Sequence, residues 1–127
     1  MEIDEFLLAA EAVLGMDADR LARVTKIPGA ESALAAPFAS FDGHDFYEQP
    51  VQRAAVLASR IMRNHPLPDG NKRVALILME LYLENEGLHL TAAPVDIDHV
   101  FRAVAGRAMD ETDFCAWLAA HTEPRKA

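Results

Sequence analysis

The sequence is short of cysteine, of aromatic residues and of positive charge. A single cysteine, Cys115, excludes an internal disulfide. Twelve lysines and arginines stand against twenty acidic residues, which gives a net charge of −8. This balance argues against a direct nucleic-acid partner, because nucleic-acid-binding proteins usually carry a basic face. The 127 residues suffice for one domain with a real core.

The chain also lacks a long apolar run and a basic amino-terminal segment. Its longest apolar stretch, over residues 74–79, is too short to span a bilayer. Residues 1–5 are acidic where a secretory signal would be basic. We therefore expect a cytoplasmic protein that has no membrane partner.

Apolar residues recur at helical spacing along most of the chain. They predict helices over residues 2–14, 17–24, 50–64, 71–86, 94–106 and from 110 or 112 to 121, with one or two further turns over 31–39. The helix over 71–86 is apolar on nearly every side, so we expect it to be buried. The sequence thus predicts an all-α fold.

The most informative stretch is His-Pro-Leu-Pro-Asp-Gly-Asn-Lys-Arg at 65–73. Its two prolines fix their own φ angles and push the residues before them out of the helical region, so the preceding helix should end near Asn64. Gly70 permits a positive φ or a close approach to a ligand. Asn71 is suited to cap the helix that follows. The sequence predicts a stiff loop that opens directly into a helix.

The polar residues of this loop fit phosphate chemistry. Lys72 and Arg73 fall in the first helical turn, where cations oppose the helix dipole, so their presence suggests a bound anion. With Gly70 and free backbone N–H groups they form a phosphate cradle. Asp69 can hold magnesium, which usually takes one or two carboxylates plus the phosphates of a substrate. His65 can accept a proton from a hydroxyl at neutral pH.

These nine residues resemble the signature of the Fic/Doc family, whose common form is H-x-F-x-[D/E]-G-N-[G/K]-R. The resemblance implies that His65 is the catalytic base and that Asp69 is a magnesium ligand. It implies a nucleotide-binding role for four further residues, which are Gly70, Asn71, Lys72 and Arg73. Leu67 stands where the family usually has Phe, and we expect a tolerated change at an inward-facing position.

The resemblance also refines the predicted fold. It implies a compact helical Fic/Doc fold of about six helices, with a short β-hairpin flap near the active site. The single domain should extend over residues 1–122, and residues 123–127 should form a disordered tail. Asp42-Gly43 between aromatic residues is a hairpin signal. In the family the equivalent flap pairs with the backbone of the target, which implies target docking by Ser40, Phe41, Asp42, Gly43 and His44.

Two positions bear on the branch of the family. Members that transfer AMP usually have Gly where Lys72 stands and a second Arg where this chain has Leu76. Both features resemble the Doc-like branch instead. That resemblance implies a toxin of a toxin–antitoxin pair that uses ATP and Mg²⁺. It would transfer the γ-phosphoryl group to a serine or threonine hydroxyl of a protein, first of all elongation factor Tu, and so inhibit translation.

We expect the activity of such a toxin to be inhibited by a separate protein. The sequence contains no [S/T]-x-x-x-E-[G/N] pattern, which marks the inhibitory helix of many Fic proteins. By resemblance the partner is a Phd-type antitoxin. Two alternatives stay open: the same site could transfer AMP or another nucleotide, which Gly70 favours, or residues 69–71 could be only a capped turn in a non-catalytic nucleotide- or protein-binding helical domain.

Overall fold

A computed structural model of the chain describes residues 1–126. Within them, seven α-helices carry the fold, and two antiparallel strand pairs lie beside them. The helices are α1 Ile3–Leu14, α2 Ala18–Val24, α3 Ile27–Ala35, α4 Pro50–Asn64, α5 Asn71–Asn85, α6 Pro94–Ala105 and α7 Glu111–Ala120. A 3₁₀ turn spans Ala36–Phe38, and the strands are β1 Ser40–Phe41, β2 His44–Asp45, β3 Leu88–Leu90 and β4 Thr122–Pro124. The predicted compact helical fold with a short hairpin is confirmed.

The helix pair α4 and α5 forms the centre of the molecule. Helix α4 buries an alanine-rich face that includes Ala54, Ala55 and Ala58, and α5 buries Val74 and Leu78. Small side chains let the two helices approach closely, and α3, α6 and α7 pack on α4 while α1 packs on α5. The loop between α4 and α5 is therefore held at both ends by buried helices.

Helix α5 is buried against its neighbours on most of its faces, but one face is open to solvent. Ile77 and Leu81 are 43% and 38% exposed, and their spacing of four residues places them on one face of the helix. The other faces of α5 are covered by α1, α4, α6 and β3. In the part of the chain that the structure describes, no helix is long and apolar enough to cross a membrane.

The carboxyl-terminal segment forms a strand where the sequence predicts a disordered tail over 123–127. Strand β4 pairs antiparallel with β3, with Glu123 opposite His89. The Arg125 N–H donates to the Gly87 carbonyl at 2.8 Å. The predicted disorder is therefore wrong for these residues. Their pairing partner, β3, lies far earlier in the chain, so the local composition of the tail does not reveal the strand. Residue 127 lies outside the described residues.

The hairpin predicted at Asp42-Gly43 is confirmed. Ser40 pairs with Asp45, and Phe41 pairs with His44. Asp42 and Gly43 have φ angles of 52° and 77°, as a type I′ turn requires at both central positions.

Candidate active site

His65 stands at the junction between α4 and the loop. Helix α4 ends at Asn64, as the two prolines predict, and His65 takes a left-handed conformation with φ 48°. Its N–H donates to the Ile61 carbonyl at 3.1 Å. The backbone of His65 therefore closes α4, while its imidazole is exposed and faces the open cleft described below.

Asn71 holds the loop together from the inside. Its Oδ1 accepts a hydrogen bond from the Leu67 N–H at 3.0 Å, and its Nδ2 donates to the Leu67 carbonyl at 2.9 Å. Asn71 is only 7% exposed, and Leu67 is 1% exposed. The capping prediction for Asn71 is wrong, because Gly70 is the residue that caps α5. The amide of Asn71 is engaged within the loop, so its free group at the start of α5 is the backbone N–H.

Gly70 is required at its position by its backbone angle and by the space around it. Its φ is +79°, and a Cβ there would lie 3.0 Å from Cγ1 of Val13 and 3.2 Å from Cδ2 of Leu14. Both contacts are tight, and the left-handed region is costly for a residue with a side chain. The end of α1 therefore packs directly behind the loop, a support that the sequence motif does not reveal.

Asp69 presents a carboxylate at the open side of the loop. Its Oδ1 accepts a hydrogen bond from the Gly70 N–H at 2.8 Å, and the residue is exposed. Among the described residues, no cluster of three or more His, Cys, Asp or Glu side chains could hold a metal ion. A lone carboxylate beside a phosphate cradle still fits Mg²⁺, which is commonly bound by one carboxylate, waters and the phosphates of a substrate.

Helix α5 begins with two cations and no acidic residue in its first turn. Lys72 and Arg73 are exposed, and neither forms an ion pair within residues 1–126. The Val74 N–H donates to the Gly70 carbonyl at 3.0 Å and closes the first turn. The N–H groups before it have no carbonyl partner within the helix. Together with the helix dipole, these groups form a site for an anion.

The loop side chains surround an open cleft of about 210 Å³. It is lined by His65, Asp69, Gly70, Asn71, Lys72 and Arg73, together with Met62 of α4 and Ala105 of α6. The structure thus brings together every residue for which the sequence predicts a catalytic, metal-binding or nucleotide-binding role. Met62 and Ala105 carry no such signal, because apolar residues at helical spacing are expected to be core.

The hairpin is not part of the cleft wall. None of residues 40–44 lines the cleft. Arg53 anchors the hairpin, because its Nη2 donates to Oδ2 of Asp45 at 3.0 Å and its Nε donates to the Tyr47 carbonyl at 2.9 Å. Arg53 lies in the first turns of α4, roughly 18 Å along the helix from His65 at 1.5 Å per residue.

A second arginine of α4 connects this helix to α7. Nε of Arg60 donates to Oε2 of Glu111 at 3.0 Å, and its Nη2 donates to Oε1 at 3.3 Å. This hydrogen-bonded contact with Glu111 raises the pKa of Arg60 above its ordinary value. Arg60 therefore serves as a structural cation that attaches α7 to the central helix pair.

Comparison with known proteins identifies the family of the chain. The Fic/DOC family matches residues 3–83, which include α1, α4, the loop and most of α5. The chain belongs to the Fic/Doc family, whose members are transferases that use ATP and act on proteins. It is 37% identical over 92 residues to Toxin Doc of Mycolicibacterium smegmatis (strain ATCC 700084 / mc(2)155), a match that covers 70% of each chain. No solved structure matches the chain.

Proposed function

We propose that this chain is a Doc-like toxin that transfers the γ-phosphoryl group of ATP to a serine or threonine hydroxyl of a protein. The observation that carries the proposal is the cleft in which the imidazole of His65, the carboxylate of Asp69 and the unpaired cations Lys72 and Arg73 meet. Family membership and the 37% identity to Toxin Doc support a toxin that modifies proteins.

Each residue of the cleft has a role in the proposed reaction. The imidazole of His65 accepts the proton of the attacking hydroxyl as its oxygen bonds to the γ-phosphorus. The bond between the γ-phosphorus and the bridging oxygen breaks, and ADP leaves with the electron pair. Lys72, Arg73 and the N–H groups of the first turn of α5 stabilise the charge on the phosphates. Asp69 would hold Mg²⁺, which when bound neutralises part of the phosphate charge.

The hairpin is the proposed docking point for the target polypeptide. Its two short strands are exposed along their whole length, and Phe41 is 74% exposed. An extended segment of the target can add to such a strand edge through main-chain hydrogen bonds, with little dependence on its sequence. Arg53 keeps the hairpin on α4, and His65 follows directly after the last residue of that helix. Docking there would place the target on the helix that leads into the base.

The proposed target is elongation factor Tu, and the proposed partner is a Phd-type antitoxin. The similarity to Toxin Doc supports an antitoxin partner, and the resemblance of Lys72 and Leu76 to the Doc-like branch supports this choice of target and antitoxin. A separate antitoxin agrees with the lack of the Fic inhibitory-helix pattern in the sequence. Action on translation places the proposed activity in the cytoplasm.

Transfer of AMP is the second candidate. It would place the α-phosphorus of ATP beside His65, whereas phosphoryl transfer places the γ-phosphorus there. Gly70 supports it, because the AMP-transferring members of the family share this residue. Lys72 and Leu76 support phosphoryl transfer, since those members usually have Gly and Arg at the two positions. The long side chain of Lys72 lines the cleft at the start of α5, where it narrows the space for phosphates.

Intact-mass spectrometry of purified elongation factor Tu, after incubation with the protein, Mg²⁺ and ATP, tests the proposal. We expect a gain of one phosphoryl group with the wild type and none with His65→Ala. His89→Ala is the matched control, because His89 is exposed and does not line the cleft. A gain of one adenylyl group would instead establish AMP transfer. A protein that neither modifies a target nor binds ATP would contradict both candidates.

A further inference from the structure

Arg53 of α4 contacts the chain on both sides of the hairpin. On the side of the second strand, its Nη2 donates to Oδ2 of Asp45 and its Nε donates to the Tyr47 carbonyl. On the side of the first strand, its guanidinium lies over the ring of Phe38, with Cζ 5.5 Å from the ring centroid. One side chain of α4 therefore connects the two ends of the hairpin to the central helix pair.

The ion pair with Asp45 is not enough to fix the guanidinium. The side chain of Asp45 is 50% exposed, and an ion pair with such an exposed partner contributes little, because water screens it and the long arginine side chain stays free to turn. The contact with Phe38 differs, since a ring face attracts a cation and shields it from water. The side chain of Arg53 is accordingly only 22% exposed. Phe38 thus limits the positions that the guanidinium can take.

Tyr82 of α5 supports the ring of Phe38. The two rings meet edge to face, with centroids 6.0 Å apart and an interplanar angle of 73°, which is a preferred arrangement of aromatic pairs. Phe38 is 44% exposed and Tyr82 only 8%, so the buried ring fixes the position of the exposed one. The hydroxyl of Tyr82 is buried and forms no hydrogen bond within residues 1–126. The contribution of Tyr82 to this contact is therefore its ring.

The hairpin has little other support. Both of its strands are exposed, and among residues 1–126 neither packs extensively on a helix. A two-stranded hairpin by itself is only marginally stable in water. A segment that must become ordered when a partner binds weakens the binding by the cost of that ordering, whereas a segment already held in place does not. Affinity for a partner at the hairpin should therefore depend on how firmly the hairpin is held.

We infer that Phe38 and Tyr82 are positioning residues for the docking of the protein target. Tyr82 holds the ring of Phe38, Phe38 holds the guanidinium of Arg53, and this guanidinium holds the hairpin. The inference rests on the proposed function, in which the hairpin docks the target, and it adds two residues that lie outside the hairpin and the cleft. None of the three side chains lines the cleft. They should therefore affect the binding of the target and leave the chemistry at His65 unchanged.

Paired substitutions at the two positions test the inference. Phe38→Leu and Tyr82→Leu keep an apolar side chain but remove the ring. Phe38→Tyr and Tyr82→Phe are the matched controls, because each of them keeps the ring. Hydrogen exchange of the hairpin amides, followed by NMR without a target, reports how firmly the hairpin is held. Steady-state kinetics with elongation factor Tu, Mg²⁺ and ATP give kcat and the two KM values, and circular dichroism checks that each variant is folded.

Both leucine variants should loosen the hairpin and weaken target binding. The Phe46 N–H, which donates to the Ala39 carbonyl at the base of the hairpin, should exchange roughly threefold to tenfold faster, as the loss of one aromatic contact implies. The KM for elongation factor Tu should rise by a similar factor, while kcat and the KM for ATP stay unchanged. The control variants should behave like the wild type. In an Arg53→Ala background, Phe38→Leu should have no further effect on this KM, because it acts through Arg53.

Unchanged hairpin exchange in the folded leucine variants would overturn the inference, and so would a lower kcat with an unchanged KM for the target. Additive effects of Phe38→Leu and Arg53→Ala would also overturn it, because Phe38 would then not act through Arg53. Either leucine variant suffices if the other does not fold. A wild-type protein that does not modify elongation factor Tu would contradict the proposed function, whereas the exchange of the hairpin amides would still decide whether Phe38 and Tyr82 position the hairpin.

Discussion

The two central helices differ in how their cations are used. On α4, Arg53 donates to Asp45 and Arg60 donates to Glu111, and both ion pairs have a nitrogen–oxygen distance of 3.0 Å. On α5, Lys72 and Arg73 stand at the amino end of the helix without an ion pair within residues 1–126. Arg53 and Arg60 are neutralised by the protein, whereas Lys72 and Arg73 are left to a ligand.

This difference separates structural from functional charge. The pairs on α4 attach the hairpin and α7 to the core, so they contribute to folding. Cations at the positive end of a helix dipole instead cost about 0.3–1 kcal/mol. A sequence selected for stability alone has no reason to keep them there. The position of Lys72 and Arg73 beside His65 and Asp69 therefore indicates a functional role. The total number of cations in the chain is a weaker indicator.

Among the substitutions that compare α4 with α5, Arg73→Ala should have the largest effect, and this effect is on the rate of catalysis. We expect the rate of phosphoryl transfer to fall by roughly 10²–10³, as the loss of one positioned donor to a developing charge implies. The thermal midpoint should stay the same or rise slightly, because an unfavourable charge leaves the helix start. Initial rates and thermal denaturation of the same preparation measure both quantities. An Arg73→Ala protein that loses stability and keeps its rate would reverse the assignment.

Asn71→Ala tests the hydrogen bonds that hold the loop in front of Lys72 and Arg73. Both hydrogen bonds to Leu67 are lost, and the buried backbone groups of Leu67 lose their partners, so we expect a loss of about 2–3 kcal/mol in the free energy of unfolding. Urea denaturation measures it. Asn85→Ala, at the exposed end of α5, should change stability by no more than about 0.5 kcal/mol. Equal effects of the two substitutions would show that the hydrogen bonds between Asn71 and Leu67 do not stabilise the loop.

Arg60→Ala should have the opposite effect to Arg73→Ala, because it should lower stability and leave the rate unchanged. Loss of the two-point contact with Glu111 should lower the free energy of unfolding by about 1–2 kcal/mol, while the rate per folded molecule stays unchanged. Arg63→Ala is the matched control, because Arg63 is an exposed arginine of the same helix and has no ion pair among the described residues. A reduced rate in folded Arg60→Ala would contradict its structural role.

The smallest effect concerns Glu80, a carboxylate of α5 that has no ion pair within residues 1–126. Burial raises the pKa of Glu80 above its ordinary value of 4.5; Glu84 adds to this shift and His89 opposes it. Between the unfolded and folded pKa values the folded protein binds more protons, so Glu80 lowers stability as the pH rises through that window. We therefore expect Glu80→Gln to be more stable than the wild type at pH 7, and the difference to disappear near pH 4.

Thermal midpoints at the two pH values measure this difference. Glu11→Gln is the control, because Glu11 is an exposed glutamate of α1 and does not contribute to the shift of the Glu80 pKa. A gain from Glu80→Gln that is the same at both pH values would mean that the substitution acts through something other than charge.

Local features of the sequence predict the site, because its residues are nearly contiguous. The prolines at 66 and 68 define the end of α4, and the structure confirms Asn64 as its last residue. The cations follow Gly70 and Asn71 in the sequence, so their place at the start of α5 needs no knowledge of the tertiary structure. The Asp42-Gly43 hairpin is also confirmed, and it too could be predicted because its turn residues are adjacent in the sequence.

Features that depend on the folded conformation could not be predicted in this way. The sequence predicts that Asn71 caps α5, but its amide forms hydrogen bonds with Leu67, four residues before it, because of the conformation that the loop adopts. The strand at Glu123 depends on β3, and the support behind Gly70 comes from the end of α1. Ala105 joins the cleft because α6 packs beside α5. These last three features each need a partner that is remote in sequence.

Transfer of label from ATP distinguishes the functional cations of α5 from the structural arginines of α4. Purified elongation factor Tu is incubated with ATP that carries radioactive phosphorus at either the γ or the α position, and with the wild type, Arg73→Ala or Arg60→Ala. We expect transfer of label from the γ position only. This transfer should be nearly lost in Arg73→Ala and retained per folded molecule in Arg60→Ala. Label from the α position would contradict phosphoryl transfer, and equal losses in the two arginine variants would contradict the separate roles of the two helices.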